Sequence, residues 1–176
     1  MRYGRDMVAT HTHTGRSNPG SYSVQFAEVK VDTYTGRVLV SDFLCVVDIG
    51  RALNPGLVKG QCRGAVQAGI GSALCEQVAI DAQGRLIGRG LRDYHLINAV
   101  DMPHVDVLLV EHAGDDGPFG AKSVGEIATV PTAAAVVNAV NRALGTAIDT
   151  LPLTPERVLM ALQALPVAQQ REAACC

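Results

Sequence analysis

The sequence predicts an α+β fold: antiparallel β-strands packed with two longer helices and a short C-terminal helix. Three observations carry this. Residues 27–32 alternate apolar and polar, as a half-exposed strand does. Residues 38–47 form a nearly continuous apolar run with strand composition. The segments 54–76 and 131–144 place apolar side chains at helical spacing.

In the first strand Ala27, Val29 and Val31 share one face and Glu28, Lys30 and Asp32 the other. Thr35-Gly36 supplies the turn, and Val38 to Val47 follows as a second strand, expected to be buried on both faces. Asn54-Pro55 reads as a helix start, with Asn as cap and Pro at the first helical position. This helix is expected to run to about Glu76, stacking Val66, Ile70 and Leu74. Its other face is small: Gly64, Ala65, Ala68, Gly69 and Ser72. A helix glycine costs about 1 kcal/mol against alanine, so several together indicate close packing against the backbone. Ala82-Gln83-Gly84 reads as a turn between two short strands, and Val105 to Val110 as another strand. The helix from about Pro131 to Leu144 carries Ala133, Val136, Val137, Val140 and Leu144 on one stripe and ends at Gly145. Thr154-Pro155-Glu156 opens the last helix, with Thr154 as cap and Glu156 near the positive end of the dipole.

The apolar fraction of 48% over 176 residues suffices for one packed core. A net charge of -2, with both signs mixed, leaves no footprint for nucleic acid or an anionic membrane. No apolar run is long enough for a transmembrane helix. The first residues lack a secretory pattern, so the expected compartment is the cytoplasm. Five cysteines (Cys45, Cys62, Cys75, Cys175, Cys176) form no CxxC pair, which argues against zinc or iron–sulfur ligation and for buried or free thiols. The organisation expected is an irregular segment 1–21, a folded portion 22–166 and a polar tail 167–176.

Chemistry is concentrated in Gly117-Pro118-Phe119-Gly120-Ala121-Lys122-Ser123-Val124-Gly125-Glu126. Three glycines let this backbone approach a bulky ligand. Glu126 has two readings. Ser123-Val124-Gly125-Glu126 fits a capping box, whereas Gly125 inside a first turn and Pro131 beyond argue for a later helix start and a loop carboxylate. Among apolar neighbours such a carboxylate is a candidate general base. Gln61, after Gly60, is either a solvated helix residue or an amide for the edge of a heterocyclic cofactor. Lys122 and Ser123 are either solvated or phosphate contacts. His11 and His13 have no nearby carboxylate in sequence, His95 reads as a structural residue, and Asp48 is expected to tie its turn together through Arg51.

Several segments together resemble one family. Phe26-Ala27-Glu28-Val29-Lys30-Val31-Asp32 with Thr35-Gly36 looks like its first hairpin. Val47-Asp48-Ile49-Gly50-Arg51-Ala52-Leu53-Asn54-Pro55 with Gly60-Gln61 looks like its central turn and helix start, and Gly69-Ile70-Gly71-Ser72-Ala73-Leu74 continues that helix. Gly120-Ala121-Lys122-Ser123-Val124-Gly125-Glu126 is similar to its catalytic loop. The family is the molybdenum hydroxylases (xanthine dehydrogenase, aldehyde oxidase and bacterial relatives), and the likeness is to the C-terminal portion of the large molybdopterin-binding subunit.

The resemblance implies a hydroxylase that oxidises a purine, another N-heterocycle or an aldehyde with water-derived oxygen. Glu126 would be the base on the Mo-hydroxyl, Gln61 would bond the pterin, and Gly125 would lie beside the metal, which takes no side-chain ligand from this chain. It implies molybdenum–molybdopterin, with the cytosine dinucleotide form as one candidate, and iron–sulfur clusters and FAD on partner subunits only. It also implies that the remaining large-subunit polypeptide is a partner, because a full family subunit is several times longer; the chain is expected to begin mid-domain and to leave apolar surface for the missing part. The rival expectations are a non-catalytic truncated fragment or assembly subunit, and an independent phosphate-binding module using the glycine loop.

Overall fold

A computed structural model describes residues 8–17, 19–88 and 90–166. The expected tail 167–176, with Cys175 and Cys176, and the start of the irregular segment lie outside the described residues.

The elements in chain order are β1 (Tyr22–Val31), β2 (Val38–Asp48), α1 (Pro55–Leu74), β3 (His104–Val110), α2 (Thr132–Leu144) and α3 (Pro155–Gln163). The α+β class is as the sequence predicts. The sheet, ordered β1-β2-β3, is mixed: β1 pairs antiparallel with β2, but β3 joins the other edge of β2 in parallel. That corrects the expectation of an all-antiparallel arrangement. The connection from β2 to β3 contains the whole of α1, long enough to return the chain to the start of the sheet.

The hairpin turn is held by Asp32, whose carbonyl accepts from Gly36 N at 2.7 Å and whose carboxylate accepts from the amides of Tyr34 and Thr35. β1 starts five residues earlier than its alternation suggests. Over that stretch the pattern is inverted, with Tyr22, Val24 and Phe26 exposed while Ser23 and Gln25 turn inward. β2 is not buried on both faces. Val40, Phe43, Cys45 and Val47 enter the core, whereas Leu39 and Leu44 are exposed. Helices cover one side of the sheet only. On the bare side the register aligns Val24 with Val46 and Leu108, and Phe26 with Leu44, an apolar surface open to solvent.

Asn54 caps α1 as predicted, its side chain accepting from Leu57 N. The face it buries includes Cys62, Val66, Gly69, Ile70 and Ala73. The small face divides: Gly69 lies against Thr132 of α2, while Gly64 has open space above it. A methyl group on Gly69 would collide with the Thr132 side chain, so this glycine sets how closely the helices approach. α2 ends at Gly145 in the left-handed conformation, φ 66°. Thr154 caps α3, which closes a second small core of Val140, Leu144, Leu153, Val158 and Leu162. Between α1 and β3 the expected pair of short strands reduces to a single bridge, Ile80 to Leu86, around an Asp81-centred turn.

Candidate functional site

The glycine loop folds back onto the turn that follows β2. Gly120 O accepts from Arg51 N at 3.1 Å and from Gly114 N at 2.9 Å, and Lys122 N donates to Ile49 O at 2.8 Å. A bridge joins Gly50 to Ala121. Gly50 has φ 62°, and a Cβ there would strike the Gly120 carbonyl, so only glycine permits this closure. Phe119 also takes a positive φ, 56°, with its ring exposed, a conformation non-glycine residues rarely hold.

Lys122 is neither solvated nor free for phosphate. Its Nζ donates to Asp48 Oδ2 at 3.0 Å, and its side chain is only 4% exposed. Asp48 therefore ties its turn through Lys122 and the Gly50 amide, which donates to Oδ1 at 3.0 Å, and not through Arg51. Burial pushes the Asp48 carboxyl up. The Gly50 amide, the Lys122 ammonium and the His112 amide together outweigh that and hold it below the ordinary carboxylate value.

From α1, Gln61 reaches the far end of the same loop: its Nε2 donates to Gly125 O at 3.4 Å. Both residues line a cleft of about 280 Å³, with Arg51, Leu53, Asn54, Leu57, Lys122 and Val124. Nothing lies within 4 Å of the place a Cβ on Gly60 or Gly125 would occupy, so the backbone beside Gln61 stays bare. Glu126 is exposed next to this cleft but does not line it. Its carboxylate makes no hydrogen bond or ion pair among the described residues, and its carbonyl accepts from Thr129 N at 2.9 Å. The capping-box reading fails, because no helix starts at Ser123; α2 begins at Thr132 after Pro131.

The structure thus brings Gln61 and Gly125 together and places Glu126 at their edge. His13 does have an acidic neighbour after all. Asp116, 103 residues away, accepts from His13 Nε2 through its carbonyl at 3.0 Å. Among the described residues no cluster of three or more His, Cys, Asp or Glu could hold a metal ion. His95 is exposed, and its carbonyl accepts from Cys75 Sγ. Cys45 and Cys62 are free and fully buried; a hydrogen bond from the Cys62 thiol lowers the pKa of Cys45, and the same bond raises that of Cys62. A larger hollow of about 590 Å³ lies among residues 77–94 and shares no lining residue with the loop cleft.

Sequence reasoning missed Gln25, which the β1 alternation left outside the strand. Its Nε2 donates to Ala128 O at 2.6 Å, two residues past Glu126, and Thr132 Oγ1 lies 2.7 Å from its Oε1. A glutamine between apolar Val24 and Phe26 was the available signal: a strand of the opposite phase, with a polar residue turned inward.

Comparison with known proteins decides the family, for the model of the molybdopterin cofactor-binding domain matches residues 2–103. This chain belongs to that family. The xanthine dehydrogenase molybdenum-binding subunit of Escherichia coli O157:H7 is 39% identical over 156 residues, which are 88% of this chain and 21% of that protein. The aldehyde oxidoreductase of Megalodesulfovibrio gigas is 38% identical over 144 residues, 81% of this chain and 15% of that protein. Among solved structures, quinoline 2-oxidoreductase from Pseudomonas putida 86 superposes with a TM-score of 0.75 at 38% identity, over 78% of this chain and 18% of that one. The chain therefore spans about a fifth of the length of the relatives it matches. Within it, the matched residues 2–103 contain Gln61 but not the loop bearing Gly125 and Glu126.

Proposed function

We propose that this chain forms the C-terminal part of the molybdopterin-binding subunit of a molybdenum-dependent hydroxylase acting on a purine, another N-heterocycle or an aldehyde. The observation that carries the reading is the meeting of the Gln61 amide with the Gly125 carbonyl, 3.4 Å apart, at a cleft whose glycines leave the backbone bare. An amide offers donor and acceptor together, which suits the polar edge of a pterin. Absence of side chains at Gly60 and Gly125 suits a flat group lying against the backbone. The donor set thus fits molybdopterin, with Gln61 and Gly125 as its contacts here.

When bound, molybdenum–molybdopterin supplies the oxygen-transfer and two-electron chemistry. Glu126 contributes proton transfer: its carboxylate oxygens, without a partner among the described residues and beside the cleft, can accept a proton at the reaction centre. Val124 and Ile127, packed against the core on either side, keep the backbone around it in place. The rest of the large subunit is expected to complete the pocket, with iron–sulfur and FAD subunits removing electrons; a relative whose name calls it a subunit supports that assembly.

Glu126→Gln in the assembled enzyme tests the assignment. Turnover is expected to fall by at least about a hundredfold, as for loss of a general base, with molybdopterin content unchanged; near-normal turnover removes Glu126 from the role. A second reading, an inactive fragment or assembly piece, is favoured by the bare apolar side of the sheet around Val24, Phe26, Leu44 and Leu108. Co-expression with the remaining subunit separates the two. A complex containing molybdopterin supports the enzyme; a chain that never associates supports the fragment.

A further inference from the structure

We infer that Asp48–Lys122 and Gln25–Ala128–Thr132 form a two-sided brace whose role is to position the Gly125–Glu126 peptide at the cleft. The inference rests on the reading of Glu126 as the proton-transfer group. Its ground is the way bonds are distributed along residues 120–132.

Upstream of Gly125 the chain is tied to the end of β2. Lys122 N bonds the Ile49 carbonyl at 2.8 Å, Lys122 Nζ bonds Asp48 at 3.0 Å, and Ser21 Oγ donates to the Ser123 carbonyl at 2.7 Å. Asp48 and Lys122 expose 16% and 4% of their side chains, so water competes little for this pair. Downstream, Gln25 Nε2 bonds Ala128 O at 2.6 Å. The Thr132 hydroxyl lies 2.7 Å from both Ala128 O and Gln25 Oε1, one proton shared between two acceptors. Thr132 is fully buried, the one buried polar side chain of the described core. Between the two anchors, Gly125 and Glu126 are exposed, and among the described residues the one side-chain hydrogen bond onto them comes from Gln61.

A fold that needed only stability would gain more from apolar side chains at positions 25, 122 and 132 than from charges and amides that must be desolvated. Polar bonds are directional, and two of them on opposite sides of a short segment fix the backbone from which the Glu126 side chain projects. Gln25 comes from β1, Asp48 from β2 and Thr132 from α2, so the segment is referenced to three rigid elements at once. Gln25, Asp48, Lys122 and Thr132 are positioning residues that act through Glu126.

The test compares Gln25→Met, Thr132→Val and Lys122→Met, with Lys122→Arg as the conservative rescue. Amide hydrogen exchange is read in the chain and steady-state kinetics in the assembled enzyme. The expected result is exchange at Lys122 and Thr129, whose amides bond Ile49 O and Glu126 O on either side of the segment, faster by about tenfold or more while α1 and β2 keep their protection. In the assembly kcat falls by about 10- to 100-fold, as for a misplaced catalytic group, while KM stays within about threefold. Lys122→Arg restores most of both. Exchange that rises equally across the whole chain, or a brace variant with unchanged kcat, overturns the inference. Glu126→Gln is run alongside. If that variant keeps its turnover, the catalytic reading fails, whereas the exchange data still report whether the brace exists.

Discussion

Gly69 of α1 and Thr132 of α2 stand so close that a single added methyl group would overlap the threonine side chain. That contact fixes the separation of the two helices, and Thr132 also bonds Gln25 and Ala128. Helix packing and the loop beside Glu126 therefore share one residue.

Gly69→Ala should destabilise the chain by about 1–3 kcal/mol, the usual cost of overpacking. Gly64→Ala, on the open part of the same helix, should stabilise it by up to about 1 kcal/mol through helix propensity. Urea unfolding of the two variants checks the opposite signs. Equal effects would show that the glycines matter for helix propensity alone.

Acid should loosen the loop through Asp48. Its carboxyl sits below the ordinary value of 3.8 in the folded chain, so its contribution is complete above that value and is lost as pH falls through the lower folded value. A pH series of unfolding measurements should show this loss in the parent chain and a smaller one in Lys122→Met. Identical acid limbs would mean that Lys122 does not hold the carboxylate.

The bare side of the sheet should behave as an interface. Phe26→Ser and Leu108→Ser, both at exposed positions, are expected to change the stability of the chain by less than about 0.5 kcal/mol. They should reduce its self-association in sedimentation and weaken its co-purification with the remaining subunit. If the substitutions unfold the chain instead, this face belongs to its own core.

Thiol labelling offers a check on the core. With Cys175 and Cys176 replaced by serine, Cys75 should react first, more slowly than a free thiol because burial raises it. Cys45 and Cys62, with no exposed surface, should react only on global unfolding. Prompt labelling of either would contradict the packing of β2 against α1.

Much of the framework around the candidate site was legible in the residues themselves. Asn54-Pro55 and Thr154-Pro155 start helices where their capping chemistry says they should, and Gly145 ends one. Gly117 to Glu126 is a loop held on glycine, and Gln61 does reach Gly125. What could not be read was pairing. Lys122 finds Asp48 across 74 residues, Gln25 finds Ala128 across 103, and neither has a local pattern that names its partner.

The sequence by itself determined the helices, their caps and the glycine turns, because these depend on backbone preferences and periodicities within a few residues. Only the tertiary structure decided that β3 runs parallel to β2, that Ser23 and Gln25 face inward while Tyr22, Val24 and Phe26 face out, and that Lys122 is spent on Asp48. Those outcomes follow from which surfaces the helices cover and which polar groups must be satisfied beneath them. Such balances are struck between distant segments, and no local window contains both sides.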